Sequence, residues 1–474
     1  MSSIRSKGAV ARNLLTRFAQ AKHCCPHHVY GNGPICVSRP VGNSTVGNTE
    51  YAYEFTAATL RYGRGVTAEI GYDLSNMGVR NTLVVTDKNV AKSRAFKEVA
   101  DSLTRQRVPF SVFDETKVEP SDKSMMEAIA FARNVGADSF VGVGGGSAID
   151  TAKAAALLCA NTGFELMDFV LAPFGKQMTP PSPMLPLIAV PTTAGTGSEM
   201  TAAAVLDLPE QKCKSSLRHK SLRPVLAIID PLNVMSMPRN VAIYSGFDVL
   251  CHALESYTVR AFDQRSPRPK YPAERPGYQG ANPISDVWAR EALTIIAKYF
   301  RRAVNDPDDE EARAEMMKAA SFAGMGFSNA GVHLCHALCY PISSQGKKFI
   351  DKDYDPNRPL IPHGLSVITT AVADFLFTTE ADPRRHADAA RFLGCDIPIS
   401  ASSDYVAESL ADAIRSYMSD FNVPNGLAAM GFTRDDVDKL AESAEQSLRS
   451  YNLCLMDTDK DTIAALYEQS LSIY

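Results

Sequence analysis

Five short apolar runs punctuate the first half of this chain, and none follows in the second. They are Thr82-Leu-Val-Val-Thr86, Phe110-Ser-Val-Phe113, Ser139-Phe-Val-Gly-Val143, Leu185-Pro-Leu-Ile-Ala-Val190 and Leu226-Ala-Ile-Ile229. Stretches of helical periodicity separate them. Runs that do not alternate with polar residues bury both faces, which predicts a parallel sheet covered by helices on either side. After Pro231 the pattern changes to long helical stretches. Small residues gather in Phe322-Ala-Gly-Met-Gly-Phe-Ser-Asn-Ala330, where they let helices approach closely. The expected architecture is an α/β domain with a parallel, Rossmann-like sheet over 50–230, then an all-α domain over 231–474. The segment 51–70 alternates and carries Gly63 and Gly65, and reads as an edge hairpin. Segments 260–283 and 343–359 read as loops.

The first 49 residues differ from the rest. They contain no Asp or Glu but carry Arg5, Lys7, Arg12, Arg17, Lys22 and Arg39, with Leu14, Leu15 and Phe18 at helical spacing. A basic, acid-free, amphipathic segment is the pattern of a mitochondrial presequence; a disordered basic tail is the alternative. Without those six cations the formal net charge falls from −4 to −10. So acidic a chain is a poor nucleic-acid binder. No apolar run is long enough to cross a membrane. The ten cysteines show no C-x-x-C spacing and no disulfide framework, which points to a reducing compartment.

Residues 139–153, SFVGVGGGSAIDTAK, read as strand, glycine turn and helix. Glycines 144–146 let backbone amides approach a pyrophosphate, and the helix start near Ser147 adds free N–H groups and a positive dipole end. The acid expected about 20 residues after such a turn is missing. Asp87, at the end of an earlier strand, is the candidate to accept ribose hydroxyls and to repel the extra phosphate of NADP. The same residue suits a helix N-cap equally well. A third loop, Pro191-Thr-Thr-Ala-Gly-Thr-Gly-Ser-Glu199, offers hydroxyls and glycines to phosphate or to a nicotinamide amide.

Asp248 and His252 are four residues apart in a helical pattern, so their side chains share one face. His336 lies in a second helical stretch. His363 follows Pro362, which marks a helix start. One carboxylate with three imidazoles suits Fe(II) or Zn(II) and not Mg(II) or Ca(II). Such a site favours a bound oxygen in its deprotonated form, the chemistry of alcohol activation. Taken alone, Asp-x-x-x-His is also the mark of a surface pair or a satisfied core histidine.

Taken together, GGGS-x-x-D-x-x-K at 144–153, PTTAGTGSE at 191–199, D-x-x-x-H-x-x-E at 248–255 and HG at 363–364 resemble the iron-containing (group III) alcohol dehydrogenase family. The resemblance covers residues 51–474. It implies a metal held by Asp248, His252, His336 and His363 in a cleft between two domains. It also implies NAD contacts from Asp87, Gly145, Gly146, Ser147, Asp150, Thr192, Thr193, Thr196 and Lys214. Many members carry a second histidine four residues after the third ligand, near the nicotinamide. Here that position is Tyr340, which leaves a proton relay through its hydroxyl or a packing role.

The stretch from His336 to His363 is longer than in the bacterial diol and lactaldehyde reductases. With the basic N-terminus, this resembles the family's mitochondrial subgroup. The resemblance implies hydride transfer from 4-hydroxybutyrate to 2-oxoglutarate in the matrix, through a nicotinamide that stays bound. An NAD-dependent dehydrogenase releasing NADH and a non-catalytic binding protein are the alternatives. Small hydroxyacids and oxoacids are the expected partners, without nucleic acid or membrane insertion, and a homo-oligomer is compatible. A dicarboxylate acceptor needs a cation for its distal carboxylate. The loops offer Arg260, Arg265, Arg268, Lys270 and Arg275, and Lys347, Lys348 and Lys352.

Overall fold

The computed structural model describes residues 48–346, 348–451 and 453–474; the expected presequence, but for its last two residues, and Lys347 lie outside them. The strands are β1 Thr59–Tyr62, β2 Thr82–Val85, β3 Phe110–Phe113, β4 Ser139–Gly144, β5 Leu187–Pro191, β6 Ala203–Leu208, β7 Cys213–Arg218 and β8 Leu226–Ile229. Among the described residues six of them form one sheet in the order β1-β8-β5-β4-β2-β3. Every neighbouring pair in it is parallel.

Alternate side chains of each strand go to opposite faces, as the pleat requires. Val84, Val141, Val143, Ile188 and Val190 pack against Ile70 and Leu74 of α1 (Ile70–Met77) and Val99 and Leu103 of α2 (Arg94–Arg105). On the other face Leu83, Val85, Phe140 and Leu187 meet Met125 and Ile129 of α3 (Asp122–Asn134) and Ala152 and Ala155 of α4 (Gly146–Ala160). Burial on both sides explains the continuous apolar runs. β2 is flanked by β3 on one side and β4 on the other, and α2 and α4 leave for opposite faces. The carboxyl ends of β2 and β4 therefore frame a topological switch point, the crevice where such sheets bind ligands.

Beyond Ile229 no strand occurs among the described residues. The helices that build the centre of this half are α5 Arg239–Thr258, α6 Pro283–Asn305, α7 Glu310–Ala330, α8 Leu334–Gln345 and α9 His363–Thr378. Helices Pro383–Phe392, Ser403–Asp420, Val437–Tyr451 and Lys460–Gln469 follow. The small residues of α7 permit close approach, although to a loop as well as to helices. A β-carbon on Gly324 would sit 3.1 Å from Gly197 Cα in the 191–199 loop.

Two features of the first half depart from the sequence reading. Residues 51–70 form no hairpin. Thr59–Tyr62 runs as a single edge strand parallel to β8, and the chain then turns at Gly65 (φ 83°) into α1. Ile70, Gly71 and Leu74 share one helical face, and that face is buried, so the helix displaces a second strand. The β6–β7 hairpin was not expected. It is antiparallel, with Ala203 opposite Arg218, and turns at Lys212 (φ 52°).

Candidate active site

Asp248 and His252 project from the same face of α5, one turn apart. His336 stands near the start of α8, and His363 is the first residue of α9, with Pro362 at its N-cap. Gly364 is needed there, because a β-carbon would lie 1.8 Å from the Tyr244 carbonyl of α5. Around Asp248 Oδ1 stand His336 Nε2 at 3.3 Å, His363 Nε2 at 3.5 Å and His252 Nδ1 at 3.7 Å. Ligands about 2.1 Å from a tetrahedral metal are themselves about 3.4 Å apart. Asp248, His252 and His336 have donor atoms close enough to share one ion, and His363 stands beside Asp248 as a fourth candidate. His252 Nδ1 is buried with no hydrogen-bond partner. That atom needs a ligand, and a divalent metal fits the donor set.

The rings are held by what lies behind them. His252 stacks on Phe327 at 3.8 Å and on His336 at 4.3 Å. Glu255, fully buried one turn beyond His252, accepts the Nδ1–H of His336. That bond leaves Nε2 as the metal-facing nitrogen. Glu255 Oε1 also accepts the backbone N–H groups of His333 (2.8 Å) and His336 (3.3 Å). Asp374 Oδ2 takes that of Cys335 at 3.0 Å. Buried carboxylates therefore cap the helix that carries the third histidine. His333 is no ligand to the quartet. It is buried between Thr258 (3.0 Å) and Asp374 (3.3 Å), so it belongs to the supporting network.

Charge follows from this enclosure. Burial would raise the Asp248 carboxyl, but His252, His363 and His336 hold it well below the ordinary carboxylate range. Burial pushes His252 far down and His363 down to about 4, leaving both neutral and able to ligate.

Two cavities meet at this quartet, and Asp248 and His363 line both. One is the crevice at the switch point. It is bounded by Asp87, the glycine turn from Gly145 to Ala148, and Thr192, Thr193 and Thr196. The turn and the threonine loop are in contact, since a β-carbon on Gly146 would fall 2.7 Å from Thr196 Cγ2. Gly144, at φ 151°, makes the turn itself. This cradle with its open helix start fits a dinucleotide. Asp87 shows the capping geometry: Oδ1 accepts the N–H groups of Asn89 (2.8 Å) and Val90 (3.0 Å). Its Oδ2 faces Gly144 and lies 3.8 Å from where a β-carbon would be. Capping thus engages one oxygen of the carboxylate and leaves the other facing the glycine turn.

The other cavity is the pocket in front of the quartet, lined by Tyr340, Tyr278, Phe327 and the inner face of the β6–β7 hairpin. Asp150 borders it, but its oxygens are engaged. They accept from the Ser198 hydroxyl, from Lys153 Nζ (3.4 Å) and from the Val205 N–H (2.9 Å). Lys153, fully buried, also donates to Ser198, Thr201 and Ala203 O. In this structure the Asp150–Lys153 couple pins the 191–199 loop and the hairpin to α4. Lys214 lines this pocket, whose wall includes Gly146, Ser147 and Thr196, shared with the crevice. Its ammonium pairs with Glu119, and burial pulls it down to about 8.

None of the basic residues of the 260–283 loop borders the pocket. Arg260 donates to Cys454 O, Arg265 to Gln279 O, and Arg275 pairs with Glu50. The other loop behaves as a strap. Asp351 Oδ2 accepts Asn240 Nδ2 at 2.9 Å, and Asp353 Oδ2 accepts the Asn240 N–H at 3.0 Å, both at the start of α5. Lys352, Asp353 and Tyr354 then cover the nucleotide crevice, and Arg358 donates to the Val118 carbonyl of the sheet half at 2.9 Å. The roles of Glu255, Glu119, Phe327 and Arg358 were missed in the sequence. Only Glu255 gave a signal, as a carboxylate one turn past His252 in an apolar helix.

Residues 57–231 match the family described as iron-containing alcohol dehydrogenase, and residues 277–471 match the C-terminal region of the Fe-containing alcohol dehydrogenase family. A protein of Caenorhabditis briggsae is 57% identical over 466 residues, 98% of this chain and 99% of its own. One of Bos taurus is 45% identical over 474 residues, the whole of both chains. Both carry the name hydroxyacid-oxoacid transhydrogenase, mitochondrial. Among solved structures, an alcohol dehydrogenase from Oenococcus oeni superposes with a TM-score of 0.75 at 27% identity, over 88% of this chain and 100% of that one. A 1,3-propanediol oxidoreductase does so with 0.74 at 26%, over 89% and 100%. No helix among the described residues is long and apolar enough to cross a membrane.

Proposed function

The chain belongs to the iron-containing alcohol dehydrogenase family, and from that premise we propose that it acts as a hydroxyacid-oxoacid transhydrogenase. In this reading 4-hydroxybutyrate gives its C4 hydride and hydroxyl proton and becomes succinate semialdehyde. A nicotinamide held in the crevice would supply the hydride acceptor and donor that couples this oxidation to reduction of 2-oxoglutarate at C2, which with one proton gives D-2-hydroxyglutarate. The names of the two full-length relatives support transfer between a hydroxyacid and an oxoacid, and the family resemblance implies the particular pair. The observation that carries the reaction class is the meeting of the nucleotide crevice and the substrate pocket at Asp248 and His363.

The chain's own residues divide the work. Asp248, His252, His336 and His363 hold a divalent metal, Fe(II) or Zn(II), with Glu255 fixing the His336 tautomer. The metal supplies Lewis acidity that lowers the cost of a deprotonated alcohol oxygen. Gly145, Gly146 and Ser147 receive the pyrophosphate on backbone N–H groups, and Thr192, Thr193 and Thr196 offer hydroxyls beside it. Asp87 Oδ2 accepts the ribose hydroxyls and selects NAD over NADP. Phe327 and the stacked imidazoles exclude water from one wall. Tyr340 borders the pocket and holds the proton that leaves the alcohol, returning it to the second oxygen. The strap at 351–358 keeps the nucleotide in place between the two half-reactions. We place the enzyme in the mitochondrial matrix, on the relatives' names and the basic N-terminus, and its assembly as a homo-oligomer is compatible with the fold.

The test is to incubate the protein with 4-hydroxybutyrate deuterated at C4 and with 2-oxoglutarate, adding no NAD. Deuterium should appear at C2 of the hydroxyglutarate formed. Turnover that requires added NAD and accumulates NADH would instead identify a dehydrogenase.

A further inference from the structure

The nucleotide crevice is walled by acids. Asp87, Glu119, Asp248 and Asp353 all border it, and a dinucleotide would bring a negatively charged pyrophosphate among them. Glu119 is paired with Lys214, and Asp248 faces the three histidines. Asp87 and Asp353 accept from backbone N–H groups, which leave their charge in place. The glycine turn offers the pyrophosphate N–H dipoles, but dipoles do not cancel a net charge. Against this stands one cation: among the described residues that line the crevice, Lys352 is the sole lysine or arginine.

Lys352 is exposed, and an exposed lysine on a free loop is a mobile charge worth little. Here the backbone on either side of it is fastened. Asp351, 5% exposed, accepts Asn240 Nδ2 (2.9 Å) and the Tyr244 hydroxyl (3.3 Å) through Oδ2. Its Oδ1 accepts the Asp353 N–H at 2.9 Å, and Asp353 Oδ2 accepts the Asn240 N–H at 3.0 Å. The N–H groups of Tyr354 and Asp355 close a turn onto Asp351 O at 3.3 and 3.1 Å. The Tyr354 ring lies against that of Tyr244, with centroids 5.9 Å apart. Further out, the Leu360 N–H donates to Phe349 O at 2.8 Å and closes the base of the loop. Lys352 therefore rides on a turn fixed to α5, the helix that carries Asp248 and His252. Less freedom is lost when such a lysine engages an anion than when one on an unfastened loop does. The crevice it borders also holds the glycine turn, whereas the pocket with Tyr278 and Tyr340 is not lined by it.

We propose that Lys352 pairs with the pyrophosphate of the nucleotide, and that this single charge on the strap decides whether the reduced nucleotide stays for the second half-reaction or leaves. Asp351 is the positioning residue that holds the turn on which the lysine rides. The assignment rests on the bound nucleotide of the function proposed above. It separates a cradle, which any dinucleotide-binding sheet provides, from a clasp built on the loop between His336 and His363.

The experiment reads binding as well as turnover. Native protein and the variants Lys352→Met, Lys352→Arg and Lys352→Glu are loaded with NADH, and release is followed by nicotinamide fluorescence on mixing with excess ADP-ribose. At low ionic strength Lys352→Met should release NADH about 3- to 10-fold faster, Lys352→Glu faster still, and Lys352→Arg near the native rate. Added KCl should shrink these differences, because the pair is open to solvent. ADP-ribose carries the pyrophosphate and adenosine does not, so their affinities, read by displacement of NADH, locate the charge. The native preference for ADP-ribose over adenosine should fall about 3- to 10-fold in Lys352→Met. Release at the native rate from Lys352→Met overturns the proposal. So does equally fast release from Lys352→Met and Lys352→Arg, which would make the lysine a cover and not a charge. An unchanged preference for ADP-ribose overturns it too, as does a raised KM for 2-oxoglutarate with nucleotide binding intact, which would give Lys352 to the substrate. If the native protein moves no hydride between the two acids without added NAD, the transhydrogenase reading fails, and the ADP-ribose arm still tests the lysine. Transfer that proceeds as proposed, with the ADP-ribose preference unchanged in Lys352→Met, fails the lysine alone.

Discussion

Glu255 touches the metal only through His336, yet it sets which nitrogen of that ring faces the quartet. Glu255→Gln keeps the shape and an acceptor oxygen but removes the charge that favours the Nδ1–H tautomer. Metal affinity should fall about 10- to 100-fold, read as metal retained after dialysis against a graded chelator. Retention equal to native would show that the neighbouring carboxylate is dispensable. Asp207, on β6, invites a different measurement. One of its oxygens is buried without a partner, and burial raises its carboxyl from 3.8 to about 6 against the opposing pull of Arg358. The folded chain thus holds this proton more tightly than the unfolded chain does. The stability it contributes is complete below about pH 4, is lost as pH rises to about 6, and stays lost above. Asp207→Asn should therefore stabilise the protein by about 1 kcal/mol at pH 8, allowing for its partial exposure, and by nothing measurable at pH 4. Urea melts at the two pH values check it, and an equal effect at both would contradict the buried-charge account.

Among elements, the strap is the one that joins the two halves beside the crevice at the switch point. Its helical end is fixed twice at Asn240, and its sheet end rests on Arg358 and the Val118 carbonyl. Arg358→Ala should leave the sheet and the quartet intact and speed NADH release several-fold, as stopped-flow fluorescence would record. An unchanged rate would mean that the strap does not limit exit. How legible each element was in the sequence follows from its burial. β2, β4, β5 and β8 are buried on both faces, so their composition alone announced them. The β6–β7 hairpin alternates buried and partly exposed residues along β6 and carries polar Lys-Ser-Ser along β7, which a search for apolar runs passes over. The supposed hairpin at 51–70 failed for the converse reason. An alternating pattern with glycines reads alike whether the next segment pairs or turns into a helix, and Ile70 and Leu74 decide for the helix only once the sheet is present to receive them.

At the scale of the whole molecule, the quartet joins residues from α5, α8 and α9, as much as 115 positions apart from Asp248 to His363. Spacing along the chain indicated that Asp248 and His252 share a face. It could not indicate that His336 and His363 would meet them, which is why their joint role rested on resemblance to a family. The same holds for the pairing of Lys214 with Glu119, since neither residue carries a local pattern. The strap has a consequence for the flow of reducing equivalents. Under the function proposed here, a nucleotide retained beneath it through turnover would not equilibrate with the soluble pool, and the direction of net turnover would depend only on the concentrations of two hydroxyacids and their two oxidised partners. Such an enzyme is indifferent to whether its surroundings are rich or poor in NADH. It acts as a clutch between two carbon pools, able to run in either direction while the respiratory state of the compartment changes around it.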